Sequence, residues 1–160
     1  MGGEFAQYAE WDYKRSLDWH LLASPLHAQL QRMLADLNAL YRSEPALYSR
    51  DVEREGFEWI DDGDYQHNCI TFMRKSADPE QTVYVVCNFA DETRENYLIG
   101  LPQGGAYREI FNSQDKAYEG WNIGNEGLLY AEAATMHGRP FRLALTLPPL
   151  GVIYLKKAAE

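Results

Sequence analysis

Carboxylates are the most abundant reactive groups in this 160-residue sequence: 24 Asp and Glu stand against 15 Lys and Arg, with four His, two Cys and four Trp. Glycosidic chemistry uses two carboxyls about 5–10 Å apart across a cleft. Spacing alone places no two acids in that way, and most fall in turns or on solvated faces. No serine sits in a Gly-x-Ser-x-Gly elbow, so acyl transfer has no visible nucleophile. Asp61, Asp62 and Asp64 around Gly63 lack the alternating oxygen ligands and the distant Glu of a calcium loop. They read as a solvated hairpin turn, which favours Asp and Gly. His20, His27, His67 and His137 show neither i,i+4 pairing nor a cysteine at ligand spacing, so no metal site and no cofactor is expected. Cys69 and Cys87 lie inside apolar stretches and read as buried thiols of a reducing compartment, with a bridge between adjacent strands as the alternative. By these residues the chain holds no catalytic group.

The aromatics carry more information. Trp11, Trp19, Trp59 and Trp121, with Tyr8, Tyr13, Tyr118 and Tyr130, occupy loop-like positions. Flat rings of this kind serve as packing plates at core edges, or they present their faces to pyranose rings. Both readings stand. Trp121, in a Gly-rich loop beside Tyr118 and Asn122, is the best stacking candidate; the alternative is that it packs its own loop.

The elements that must position these residues change character near residue 50. Leu26, Leu30, Met33, Leu34, Leu37, Leu40 and Tyr41 recur at steps of three and four, the stripe of an amphipathic helix. Ser24 suits the N-cap, Pro25 the first turn, and Ser43-Glu44-Pro45 the stop, predicting a helix over 25–42. Ahead of it, residues 1–23 show no sustained period and read as a long loop with a single helical turn. Such a loop is unusual in a compact domain and suggests a piece of something larger. Beyond residue 50 the period becomes two. Strands are expected at 57–60, 68–75, 82–89, 97–101, 107–111, 128–133, 141–147 and 152–155, with 82–89 buried on both faces. Eight short strands between turn clusters predict a mainly β chain, an antiparallel sandwich with Greek-key links, preceded by one helix. Residues 112–127 read as a long surface loop.

Charge and hydropathy exclude other classes. A net charge of −9 opposes a nucleic-acid partner, whose phosphates call for Lys and Arg, and also an anionic membrane surface. The apolar runs are too short or too interrupted to span a bilayer. The N-terminus lacks the basic start and apolar run of a signal peptide, so a cytoplasmic location is expected.

Several blocks together are similar to the bacterial glycogen branching enzymes of the α-amylase superfamily. They are Met1-Gly2-Gly3-Glu4-Phe5-Ala6-Gln7 with Glu10-Trp11, then Ser16-Leu17-Asp18-Trp19-His20-Leu21-Leu22, and Gly56-Phe57-Glu58-Trp59-Ile60. His137-Gly138-Arg139-Pro140 and Leu145-Thr146-Leu147-Pro148-Pro149-Leu150-Gly151 complete the match, which runs through essentially the whole chain. The resemblance implies that residues 1–48 are the exit and last helix of a (β/α)₈ barrel, and that residues 49–160 are the C-terminal all-β domain that follows it. It implies a parent enzyme that cuts an α-1,4-glucan and re-attaches the piece through an α-1,6 bond. The resemblance further implies a retaining mechanism, with an Asp nucleophile and a Glu acid/base on strands upstream of Met1. Glu4, Gln7 and Trp11 would then lie at the active face of the barrel, Glu4 as a supporting rather than catalytic carboxylate. The alternatives are an independent carbohydrate-binding or interaction sandwich, or the end of a debranching enzyme or amylase.

The resemblance names two partners, an α-glucan such as glycogen or amylose and the catalytic barrel. Without that barrel the apolar stripe of the helix should self-associate or pack on the sandwich, and residues 1–20 should be poorly ordered or exchanged between copies.

Overall fold

The computed structural model describes residues 1–158. Short 3-10 turns at Gly3–Phe5 and Trp19–Ala23 lead into a helix, α1 (Pro25–Ser43). Eight strands follow: β1 (Phe57–Asp61), β2 (Cys69–Arg74), β3 (Val83–Asn88), β4 (Arg94–Leu101), β5 (Gly105–Asn112), β6 (Leu129–Ala131), β7 (Phe141–Leu147) and β8 (Gly151–Lys157).

The strands form two antiparallel sheets, one in the order β1-β2-β3-β8-β5-β6 and the other pairing β4 with β7. The last strand inserts between β3 and β5, the crossed connection of the expected Greek-key sandwich. Between the sheets lie Tyr84, Val86, Ile99, Leu101, Tyr107, Leu143, Leu145, Leu147, Ile153 and Leu155, all at most 3% exposed. Each such aliphatic side chain contributes roughly 1.5–3 kcal/mol through burial. The alternation read from sequence places Leu143, Leu145 and Leu147 inward.

The large sheet is apolar on its other face as well. Val83, Val85 and Cys87 of β3 point away from the sandwich core and pack with Ala46, Leu47 and Leu40. Both faces of β3 are therefore covered, as its continuous apolar run predicts. The C-terminal end of α1 and the Pro45–Leu47 turn supply that second cover.

Helix α1 begins at Pro25 as expected, but the Ser24 side chain makes no capping hydrogen bond; its carbonyl accepts from Ala28 N–H at 3.1 Å. The segment ahead of it folds back instead of extending freely. Phe5 is completely buried, covered by the Trp19 ring at 5.1 Å between centroids. The apolar stripe packs on the two N-terminal turns, on Pro45–Leu47 and on Lys116–Tyr118. Leu30, Leu34 and Leu37 are half-buried.

Cys69 and Cys87 are both free and buried. Cys69 pairs with Asn88, so the two thiols lie one register position apart on opposite faces of the sheet. That geometry rules out the alternative of a bridge. Burial pushes the Cys87 thiol up to about 11.

Candidate functional site

The N-terminal turn is built around one buried ring. With Phe5 inserted against α1, its carbonyl meets His27 Nδ1 at 2.7 Å, and His27 Nε2 lies 3.1 Å from Tyr8 Oη. Since a carbonyl only accepts, Nδ1 carries the proton and Nε2 accepts from the tyrosine. One buried histidine thus fixes both sides of the turn. Gln7 fixes the third: its Oε1 accepts from Asp18 N–H at 3.2 Å and its Nε2 donates to Ala9 O at 2.9 Å. Gly2, at φ 82, lies so close beneath it that a Cβ there would meet Gln7 Cδ at 2.5 Å. The positive φ favours glycine, and an added Cβ would push the Gln7 side chain out of its place.

This bracing sorts the residues singled out from sequence. Gln7 has its amide engaged within the turn. Glu4 is half-buried on the same turn, and Trp11 extends beyond it with 53% of its surface exposed. Tyr8 and Tyr13 are likewise exposed. Trp19 covers Phe5, and Trp59 packs edge-on against Phe57 and Phe72 at 4.8 and 5.8 Å.

Trp121 occupies a separate loop that contacts α1 through Tyr118, whose hydroxyl donates to Asp36 Oδ2 at 3.0 Å. The loop is held by Glu109, which accepts from Asn112 Nδ2, Asn125 N–H and Asn125 Nδ2 at 2.8–3.0 Å. Burial pushes the Glu109 carboxyl above its usual range. The Trp121 ring itself is 64% exposed, which leaves it free to stack.

A polar constellation that the sequence reading missed lies at the β1–β2 connection. Asp64 does not sit at a solvated tip; its side chain is 17% exposed. Its Oδ2 accepts from Tyr97 Oη at 2.9 Å, and its Oδ1 lies 2.7 Å from His67 Nδ1. Burial alone would raise its pKa, but the hydrogen bonds from Tyr97 and His67 hold it below the usual aspartate value. Opposite stands His137, with Nε2 3.4 Å from Asp61 Oδ2. Only the three-residue spacing of Asp64 and His67 signalled any of this. Among the described residues, no three His, Cys, Asp or Glu side chains are grouped to hold a metal ion.

An antiparallel sandwich of two sheets with one covering helix defines an all-β domain. The sequence profile of the α-amylase C-terminal all-beta domain matches residues 59–158, and the chain belongs to that family. The 1,4-alpha-glucan branching enzyme GlgB of Aquifex aeolicus is 50% identical over 98% of this chain and 25% of its own length. The enzyme of the same name from Cereibacter sphaeroides is 51% identical over 99% of this chain and 22% of its own length. The chain thus spans about a quarter of these relatives. The crystal structure of α-amylase from H. orenii aligns with 81% of this chain and 20% of its own, at 19% identity and a TM-score of 0.48. No described helix is long and apolar enough to cross a membrane.

Proposed function

We propose that this chain serves as the C-terminal part of a 1,4-α-glucan branching enzyme, which transfers α-1,4-glucan segments to form α-1,6 branches. The observation that carries this is the extent of the similarity: about half the residues are identical across 98–99% of the chain, including its first 48 residues. An independent sandwich module would have no use for the N-terminal turn and α1, and its likeness would fade there. The same extent disfavours the end of a debranching enzyme or amylase.

On this reading residues 1–48 complete the catalytic barrel and residues 49–160 form the sandwich that buttresses it; Ala159 and Glu160 lie outside the described residues. Glu4, Gln7 and Trp11 border the active face, and Gln7 braces the turn that presents the other two. The reaction is retaining: an Asp elsewhere in the protein attacks the anomeric carbon, and a Glu protonates the leaving oxygen, then deprotonates the incoming 6-hydroxyl. The chain alone is inactive. Its partners are α-glucan and the barrel, and the open side of α1 brings copies of the isolated chain together. Trp121 provides a weak stacking surface. The location is the cytoplasm.

The test is to express the chain both alone and joined to the sequence encoded upstream, and to measure new α-1,6 linkages on amylose. Branching by the longer protein only is expected. Turnover by the chain alone, or none by the longer protein, overturns the reading.

A further inference from the structure

An open cleft between the β1–β2 connection, β4 and the Met136–Arg139 turn offers about 730 Å³, within the ~300–1,000 Å³ typical of small-molecule sites. Its two walls are braced independently of any ligand. On one side Asp64 locks the Tyr97 hydroxyl and the His67 ring. That bond leaves His67 Nε2 turned away from Asp64 on a half-exposed ring. On the other side His137 Nδ1 accepts from Gly100 N–H at 3.2 Å, so the proton resides on Nε2 and faces Asp61.

The sequence block His137-Gly138-Arg139 explains how that second wall is held. His137 and Gly138 take φ of 48 and 71 in a tight turn closed by reciprocal Met136–Arg139 backbone bonds of 2.8 and 3.0 Å. Arg139 ties the turn to β1, donating to Trp59 O at 2.9 Å and pairing with Glu58. On β4 the Met136 carbonyl comes so close to Gly100 that any Cβ there would collide with it. Between the walls, Asn96 stands exposed on a bulge in β4 at φ 55. Half-buried Leu98 and Met136 add apolar surface.

The chemistry of this lining selects its ligand. An anion would face Asp61, Asp64 and Glu95 with only Arg94 to offset them. A cation would find the oxygens of Asp64 already engaged by Tyr97 and His67 and those of Asp61 by Gly63 N–H and His137, which leaves it the exposed Glu95 carboxylate alone. A neutral polyhydroxyl ligand meets neither obstacle. Its hydroxyls can both donate and accept, and planar polar side chains beside apolar surface suit the two kinds of surface on a sugar ring.

We propose that this cleft is an α-glucan-binding site on the sandwich, holding a short run of an α-1,4-linked chain. The choice of α-glucan among sugars rests on the branching-enzyme reading; the site itself rests on the geometry.

The test is a titration of the ¹⁵N-labelled 160-residue chain with maltoheptaose, and with cellohexaose as the β-linked control, following amide shifts. Saturable millimolar shifts at Asp64, His67, Asn96, Leu98 and Gly138 are expected with maltoheptaose only. His67→Ala should weaken binding about fivefold, the range of one lost hydrogen bond. Asn96→Gly, which keeps the left-handed backbone, should do the same. No saturable shift, shifts confined to the Trp11 or Trp121 segments, equal binding of cellohexaose, or affinity unchanged in both variants overturns the proposal. Branching by the longer protein is measured separately, so its failure would leave the titration to decide the cleft on its own.

Discussion

The sandwich and the first 48 residues bury their hydrophobic groups in different ways. In the sandwich Ile99, Leu101, Tyr107, Ile153 and Leu155 are completely excluded from solvent, enclosed by two sheets that each cover the other. In the N-terminal region full burial is confined to a few points, among them Phe5, Ala46 and Leu47. The stripe of α1 is half-covered, and Leu26 is 69% exposed. One region closes its own core. The other leans on the outer face of the large sheet with one side and leaves the opposite side, with Tyr8, Trp11 and Tyr13, open. The helix is thus covered on one side only, whereas burial of the whole stripe is ordinarily what stabilises a surface helix.

The sharpest way to break this contrast is to truncate one leucine in each region. Leu155→Ala, in the sandwich core, should cost about 2–5 kcal/mol, because it leaves a cavity between sheets that cannot collapse. Leu30→Ala on α1 should cost less than about 1.5 kcal/mol, since solvent already reaches that side chain. Urea unfolding followed by far-UV circular dichroism measures both. Equal costs would mean that the helix is as integral to the cooperative unit as the sheets.

Phe5→Ala separates local from global stability. Phe5 is fully buried, and a global effect of about 3–5 kcal/mol would be ordinary for such a truncation. We expect the loss to be local instead, because the ring anchors only the N-terminal turn against α1. Hydrogen exchange should accelerate at least tenfold across residues 2–23, while the strand amides keep their protection and the urea midpoint of the sandwich hardly moves. Loss of strand protection would erase the distinction between the regions.

Much of the sandwich was legible because its strands alternate strictly: Cys69, Thr71 and Met73 face the core while Ile70 and Phe72 face α1. The α1 stripe was legible for the same reason, at its own period. Strand β4 was expected to begin at Tyr97 but begins at Arg94, because the bulge near Asn96 interrupts the alternation. The opposite facing of Cys69 and Cys87 depends on a register that neither strand reveals alone. The cleft was the least legible feature. Its walls come from residues 61–67, 93–98 and 136–137, brought together by sheet pairing and by hydrogen bonds from Tyr97, Gly100 and Arg139. The exposed Trp11 and Trp121 were picked out by residue type, whereas the bracing role of His27 follows only from its contacts.

The smallest expected effect divides the sandwich itself, setting its cleft end against the loop that touches α1. Asp64 has its pKa lowered in the folded state, so its contribution to stability is present above the ordinary aspartate value of about 3.9. That contribution is lost as pH falls through the lower folded value. Glu109 has its pKa raised by burial. The folded state then binds more protons than the unfolded state just above the usual glutamate value of about 4.3, and stability falls as pH rises through that window. Acidification from neutrality should therefore first favour the Glu109 end and then, below about pH 4, weaken the Asp64 end. The urea midpoint should pass through a shallow maximum between these windows. Asp64→Asn should flatten its acid limb and Glu109→Gln its neutral limb. Amide exchange at His67 and at Asn125 assigns each limb to its end of the sandwich. A single limb shared by both reporters would show that the two carboxylates titrate as parts of one unit.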